Sequence, residues 1–147
     1  MSGRFCEATL ILCCLIGRGQ SMILSLYAGL LTLWLLILSV RVIGLRGNPL
    51  FAVMAFAPHG KTALERAIRA HGNFCEYTPL FLILLYILEQ QGAAATTIHA
   101  YGVSFLVGRV MHGVCFGFMT QSLPLRIAGT ALTLFALLGL AVQLLMI

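Results

Sequence analysis

Long tracts of this chain carry no charge. Gly19–Val40 holds none over 22 residues, Gln90–Gly108 holds none, and Ile127–Ile147 holds none over 21 residues. Roughly 20 predominantly apolar residues in a helix cross the hydrocarbon core of a bilayer. In lipid the backbone must pair within its own segment, which restricts such tracts to helices. A further helix is expected from Thr62 or Ala63 to about Glu89, with its first three turns polar and its last three apolar. The third helix is expected to continue through Arg109 to about Met119. Composition agrees: 61% of residues are hydrophobic and 9% charged, with a mean hydropathy of +1.02. A soluble domain carries about a quarter charged residues. The expected fold is an all-α membrane protein, a four-transmembrane-helix bundle over residues 22–147.

The expected connections are Arg46–Lys61, the short Gln91–Ala94 turn and Thr120–Leu123. Asn48-Pro49 and Pro58-His59-Gly60 punctuate the first. Between them Leu50–Ala57 is apolar but too short to span, and reads as an interfacial or partly re-entrant segment. Pro124 marks the start of the fourth helix. Arg41, Arg46, Lys61, Arg66 and Arg69 flank or occupy the first connection, and Arg126 adjoins the third. The excess of cations places those two loops in the cytoplasm and both termini on the far side. Residues 1–21 fit this scheme poorly, because Arg4 and Arg18 would lie on the far side and Ala8–Gly17 is too short to span. They are read as an N-terminal extension ahead of a native start at Met22.

The strip Glu65–Tyr77 runs directly into the apolar segment Thr78–Leu88. Arg66, Arg69, Asn73 and Glu76 recur at helical spacing and share one face. Ionisable groups within a membrane are expensive and mark function or pairing. Two cations, an amide and a carboxylate on one stripe suit a small zwitterionic or anionic ligand. The plainer reading is a solvated helix end, with Glu65 and Arg69 paired and Arg66 snorkelling. That accounts poorly for the deeper Asn73 and Glu76. Arg109 lies inside the third apolar segment, with His112 following at helical spacing. The expectation is an Arg109–Glu76 pair forming a pocket floor, with His112 left for the ligand. Gly113 and Gly117 form a GxxxG pair that admits a close backbone. Arg126 opens the fourth helix, either as a headgroup anchor or as a holder of anions at a helix N-terminus. A thiol held there loses its proton more easily.

Other chemistries find little support. The net charge is +5, but no basic-aromatic surface is large enough to grip nucleic acid. The cations sit between apolar segments, where they face membrane lipid or ligand. The five cysteines form no CxxC pair and the four histidines no metal-ligating spacing, so no metal is expected. No phosphate loop or Ser-His-Asp arrangement is present.

The segment Glu65–Leu82, ERAIRAHGNFCEYTPLFL, and the stretch Val107–His112, VGRVMH, resemble the membrane-associated proteins in eicosanoid and glutathione metabolism, the MAPEG family, in its small bacterial form. The resemblance implies a four-helix homotrimer in a bacterial inner membrane, with glutathione as co-substrate bound between subunits. It implies glutathione-binding roles for Arg69, Asn73, Glu76, Tyr77 and His112, and for Arg46 reaching from an adjacent subunit. Arg126 falls at or near the arginine that stabilises the thiolate. The implied function is a transferase that activates the glutathione thiol against a lipophilic electrophile, with peroxidase activity towards lipid hydroperoxides as an extension. Phe116, Ile127 and Thr130 depart from residues found in better-known members, where Tyr, Ser and Tyr occur. Those departures keep open a non-catalytic glutathione- or lipid-binding protein. A small transporter with Glu76 and Arg109 as a coupled gate is a further alternative.

Overall fold

The computed structural model describes residues 3–56, 59–120 and 122–146, with side chains from residue 23 onward. The extension at 1–21 has its side chains outside that set, as do Ala57 and Pro58 of the first connection. Four α-helices follow one another: α1 (Gly3–Leu45), α2 (Lys61–Gln90), α3 (Ala95–Gly117) and α4 (Leu123–Met146). A 3-10 segment, Pro49–Met54, lies between α1 and α2. No strand occurs among the described residues.

Ile23–Leu45 and Leu123–Met146 are long and apolar enough to cross a membrane. α2 and α3 have the length, at 30 and 23 residues, but among the described residues they do not reach that apolarity. α1 ends at Leu45, directly before the expected first connection at Arg46, and Arg41 within it is not solvated. It is fully buried, and Val42 to Leu45 continue the helix behind it. Its Nε donates to the Gly117 carbonyl at 3.0 Å and its Nη1 to the carbonyls of Met54 and Phe56. The rings of Phe56 and Phe118 lie 4.7 and 5.4 Å from its guanidinium carbon. One cation thus ties the end of α1 to the 3-10 segment and to the end of α3. Within the expected interfacial segment the described residues form a short 3-10 helix that ends at Met54. Asn48 caps it by accepting from the Leu50 N–H at 3.0 Å, and Pro49 occupies its first turn.

α2 buries Ala63, Ala67, Ala70, Phe74, Thr78, Phe81, Leu85 and Leu88. Steps of three and four residues make this one continuous seam. It meets Leu31 and Leu38 of α1, Phe105 of α3 and Leu140 of α4 in a single core. Phe81 and Phe105 stack at its centre, 3.8 Å between centroids and 4° from parallel. α2 ends on Gly92, whose φ of +79° suits glycine. Gly92 N–H returns to the Glu89 carbonyl and Ala93 N–H to the Leu88 carbonyl, closing a Schellman turn into α3.

α3 sits centrally, touching α1, α2 and α4, while α1 and α4 do not meet among the described residues. The expected GxxxG contact is displaced. Gly113 and Gly117 face the side chains of Trp34 and Leu38 in α1, not a backbone. The close backbone approach joins α3 and α4 at Gly108 and Gly129. A Cβ on either would stand 2.9 Å from the other's carbonyl oxygen. A backbone cannot yield as a flexible side chain does, so Gly108→Ala is expected to lose about 1–3 kcal/mol through overpacking. Thermal unfolding in detergent measures this, and Gly29→Ala, which meets nothing within 4 Å, is the matched control.

Candidate functional site: a polar hollow beside a buried arginine

The seam of α2 sets where its polar stripe goes. Residues next to the seam face α3, and those a further step round face outward. Asn73 is half-buried against α3, whereas Arg69 and Glu76 are exposed. Arg109 fills the space between α2, α3 and α4 and is only 3% exposed. Its Nη1 donates to Asn73 Oδ1 at 2.8 Å and to the Asn73 carbonyl at 3.3 Å. Its Nε donates to Thr133 Oγ1 at 3.2 Å, whose own proton goes to the Gly129 carbonyl at 2.8 Å. The rings of Tyr77 and Phe105 flank it at 5.3 and 5.9 Å.

The expected Arg109–Glu76 pair is therefore not formed within the chain. Asn73 stands one turn earlier, points at α3 and supplies two oxygens. Glu76 points away, and no ion pair involves it among the described residues. The buried cation is dispersed over neutral oxygens and aromatic faces, which leaves the carboxylate unspent.

Arg69, Gly72, Asn73, Glu76, His112 and Phe116 border one hollow of about 390 Å³. Four of the residues singled out in the sequence, Arg69, Asn73, Glu76 and His112, thus come together. The volume lies within the range of small-molecule sites, roughly 300–1,000 Å³. His112 is half-buried and stacks on Phe116 with centroids 4.7 Å apart. The hollow is bordered by a guanidinium, a carboxylate and an amide from α2 and an imidazole from α3. Such a set can hold an ammonium and a carboxylate at the same time.

The other expected residues lie elsewhere. Arg126 is exposed and borders a neighbouring hollow of about 610 Å³ with Arg66. The two hollows share Phe116, whose ring centre lies 5.8 Å from the Arg126 guanidinium carbon. Tyr77 serves as a face for Arg109 and does not border the polar hollow. Arg46 lies exposed just beyond α1, apart from both hollows. Thr130 is exposed on α4. No group of three potential metal ligands occurs among the described residues.

The sequence reading missed Thr133 and Arg41. Nothing in the pattern marks Thr133, since a threonine in an apolar helix usually bonds its own backbone. Arg41 carried a signal in the apolar run that follows it. If Asn73 holds the buried cation, Asn73→Leu is expected to cost about 1–3 kcal/mol by removing the side-chain acceptor of Arg109, which keeps the main-chain carbonyl and Thr133. Glu76→Gln should stay within about 0.5 kcal/mol, as exposed substitutions do. Thermal unfolding of the two variants side by side checks the assignment.

Two comparisons bear on this geometry. The model of the MAPEG family matches residues 24–146, which include both hollows and the Arg109 site. The chain is also 36% identical over 117 residues to the inner membrane protein YecN of Escherichia coli strain K12, covering 80% of this chain and 86% of that protein. The YecN of Escherichia coli O6:H1 matches with the same identity and coverage. A match across nearly the whole helical region, with a relative of similar length, makes this membrane chain a member of the MAPEG family.

Proposed function

We propose that the protein is a membrane-bound glutathione transferase of the bacterial inner membrane. All four helices span the bilayer, with the loops after α1 and α3 in the cytoplasm, and three copies form the working unit. The observation that carries this reading is that the unspent Glu76 carboxylate and the Arg69 guanidinium border the same hollow. Glutathione brings an ammonium, two carboxylates and a thiol. Glu76 accepts from the ammonium, and Arg69 takes a carboxylate through its planar fork. Asn73 and His112 supply the remaining polar contacts. Arg69 and Glu76 are exposed in a single chain, which fits a site covered by a neighbouring copy. Arg46 of that copy is the proposed further cation, and Tyr77 acts through Arg109.

The chemistry asked of the protein is modest. The thiol loses its proton to water while Arg126 stabilises the sulfur anion across the Phe116 ring. The thiolate then forms a C–S bond to a lipophilic electrophile arriving from the bilayer, and the leaving group departs with the bonding pair. With a lipid hydroperoxide, two glutathiones become the disulfide as the hydroperoxide is reduced to an alcohol and water. Proximity and fixed cations lower the barrier.

One observation favours a binding protein without turnover. Phe116 stands between the polar hollow and Arg126 and brings no hydroxyl of its own. A difference spectrum of purified protein with glutathione separates the two readings. The transferase shows a thiolate absorbance band, and the binding protein binds without one. Glu76→Gln is expected to weaken glutathione affinity by roughly tenfold, the worth of one charge-assisted hydrogen bond. Arg126→Ala should lower turnover more than affinity. Absence of glutathione binding by folded wild-type protein overturns both readings.

A further inference from the structure

Among the described residues Glu89 is the only carboxylate with no exposed surface. It stands one residue before the end of α2, about 20 Å along that helix from Glu76, and borders neither hollow. Neither of its oxygens has a hydrogen-bond partner. A carboxylate closed off from water without a donor is unfavourable. No cation side chain from residues 22–147 relieves it. The adjoining Gln91–Ala94 turn has no Lys or Arg. Arg109 is engaged by Asn73 and Thr133, and the remaining cations of that range lie towards the opposite ends of the helices. His99 is near this end, but its Nδ1 meets the Tyr27 hydroxyl at 2.9 Å.

What faces Glu89 is the main chain of α1, at the Leu24 amide. In a helix that runs from Gly3, this N–H belongs to the Gln20 carbonyl four residues earlier. In a helix that opens at Met22 it has no such acceptor, because the first four N–H groups of a helix lack intrahelical partners. Leu24 then stands where a capping oxygen receives the N–H. The carboxylate meets the positive end of the helix dipole. The ammonium of an amino terminus at Met22, about 3 Å of helix rise away, adds a full charge. We propose that Glu89 is the binding site for the chain's own amino terminus: the native polypeptide opens at Met22, and Glu89 receives its ammonium and the Leu24 N–H, tying the start of α1 to the end of α2. Helix length agrees. From Gly3 to Leu45 α1 has 43 residues, roughly 65 Å, about twice the hydrocarbon thickness of a bilayer. From Met22 to Leu45 it equals α4, at 24 residues. Such a start also removes Arg4 and Arg18 from the side of the membrane opposite the other cations. The inference does not rest on glutathione use.

The test expresses the full gene with its own upstream sequence and a C-terminal tag, and reads the purified protein by intact mass. A species opening at Met22 with a free amine is expected, and one that retains residues 1–21 overturns the proposal. Glu89→Gln in the same gene keeps the shape and removes the charge. It should lower the midpoint of thermal unfolding in detergent by roughly 4 °C, the scale of one such contact in a chain of this size. Glu65→Gln, exposed on the same helix, should leave the midpoint in place. A Glu89 that merely carried a proton would accept glutamine without loss, so an unchanged midpoint overturns its assignment even where the mass is as expected. Wild-type protein gives a second measurement that needs no variant. Lys61 is the only lysine in the chain and is exposed, so an acylating reagent meets two amines. In folded protein Lys61 should react and the Met22 amine should be protected, with both reacting after unfolding. A Met22 amine acylated as fast as Lys61 in folded protein overturns the pairing with Glu89.

Discussion

The organisation of this protein depends on how it accommodates the Arg109 guanidinium away from water. A buried charge needs compensation, and a carboxylate is the usual solution. Here the compensation comes from an amide, a hydroxyl, a main-chain carbonyl and two aromatic faces. Three helices contribute to it, so α2, α3 and α4 are fixed in register at one level of the fold. The indole of Trp34 adds the fourth helix by donating to the Arg109 carbonyl at 3.3 Å. Neutral partners fix the helices while leaving the only carboxylate of the stripe's inner half free.

That choice determines the neighbouring chemistry. Asn73 faces inward to Arg109, so the helical period turns Glu76 and Arg69 outward to the hollow. Close approach of α3 and α4 at Gly108 and Gly129 keeps Thr133 within reach of the arginine. Further along, Arg41 performs a comparable task with backbone carbonyls and the rings of Phe56 and Phe118, holding the 3-10 segment against the end of α3. Arg41 and Arg109 thus brace the structure, while Arg46, Lys61, Arg69 and Arg126 are exposed.

Much of this was legible in the residues. Apart from the start of α1, which lies at Gly3 and not near Gly19, the helices fell within a few residues of expectation, because apolar length and punctuation by Pro and Gly act locally. The spacing of Arg69, Asn73 and Glu76 placed them near one another, and His112 joined them across α3. Partner choice was less legible. The Arg109–Glu76 pair looked compelling because opposite charges attract. The structure turns instead on direction, and a one-turn offset along α2 put an amide where a carboxylate was expected. The glycine contact was similarly displaced. Gly113 and Gly117 have the familiar spacing, but which face of α3 meets α4 depends on all the neighbouring side chains. Gly108 and Gly129 share no local pattern that a linear reading would detect.

Phe116 links the two hollows, with His112 stacked on its ring and Arg66 and Arg126 poised about its centre. A side chain that borders two cavities cannot be remodelled for one of them alone. Any mutation at this position reshapes both chambers together, so natural variation there would alter what each compartment admits in a correlated way.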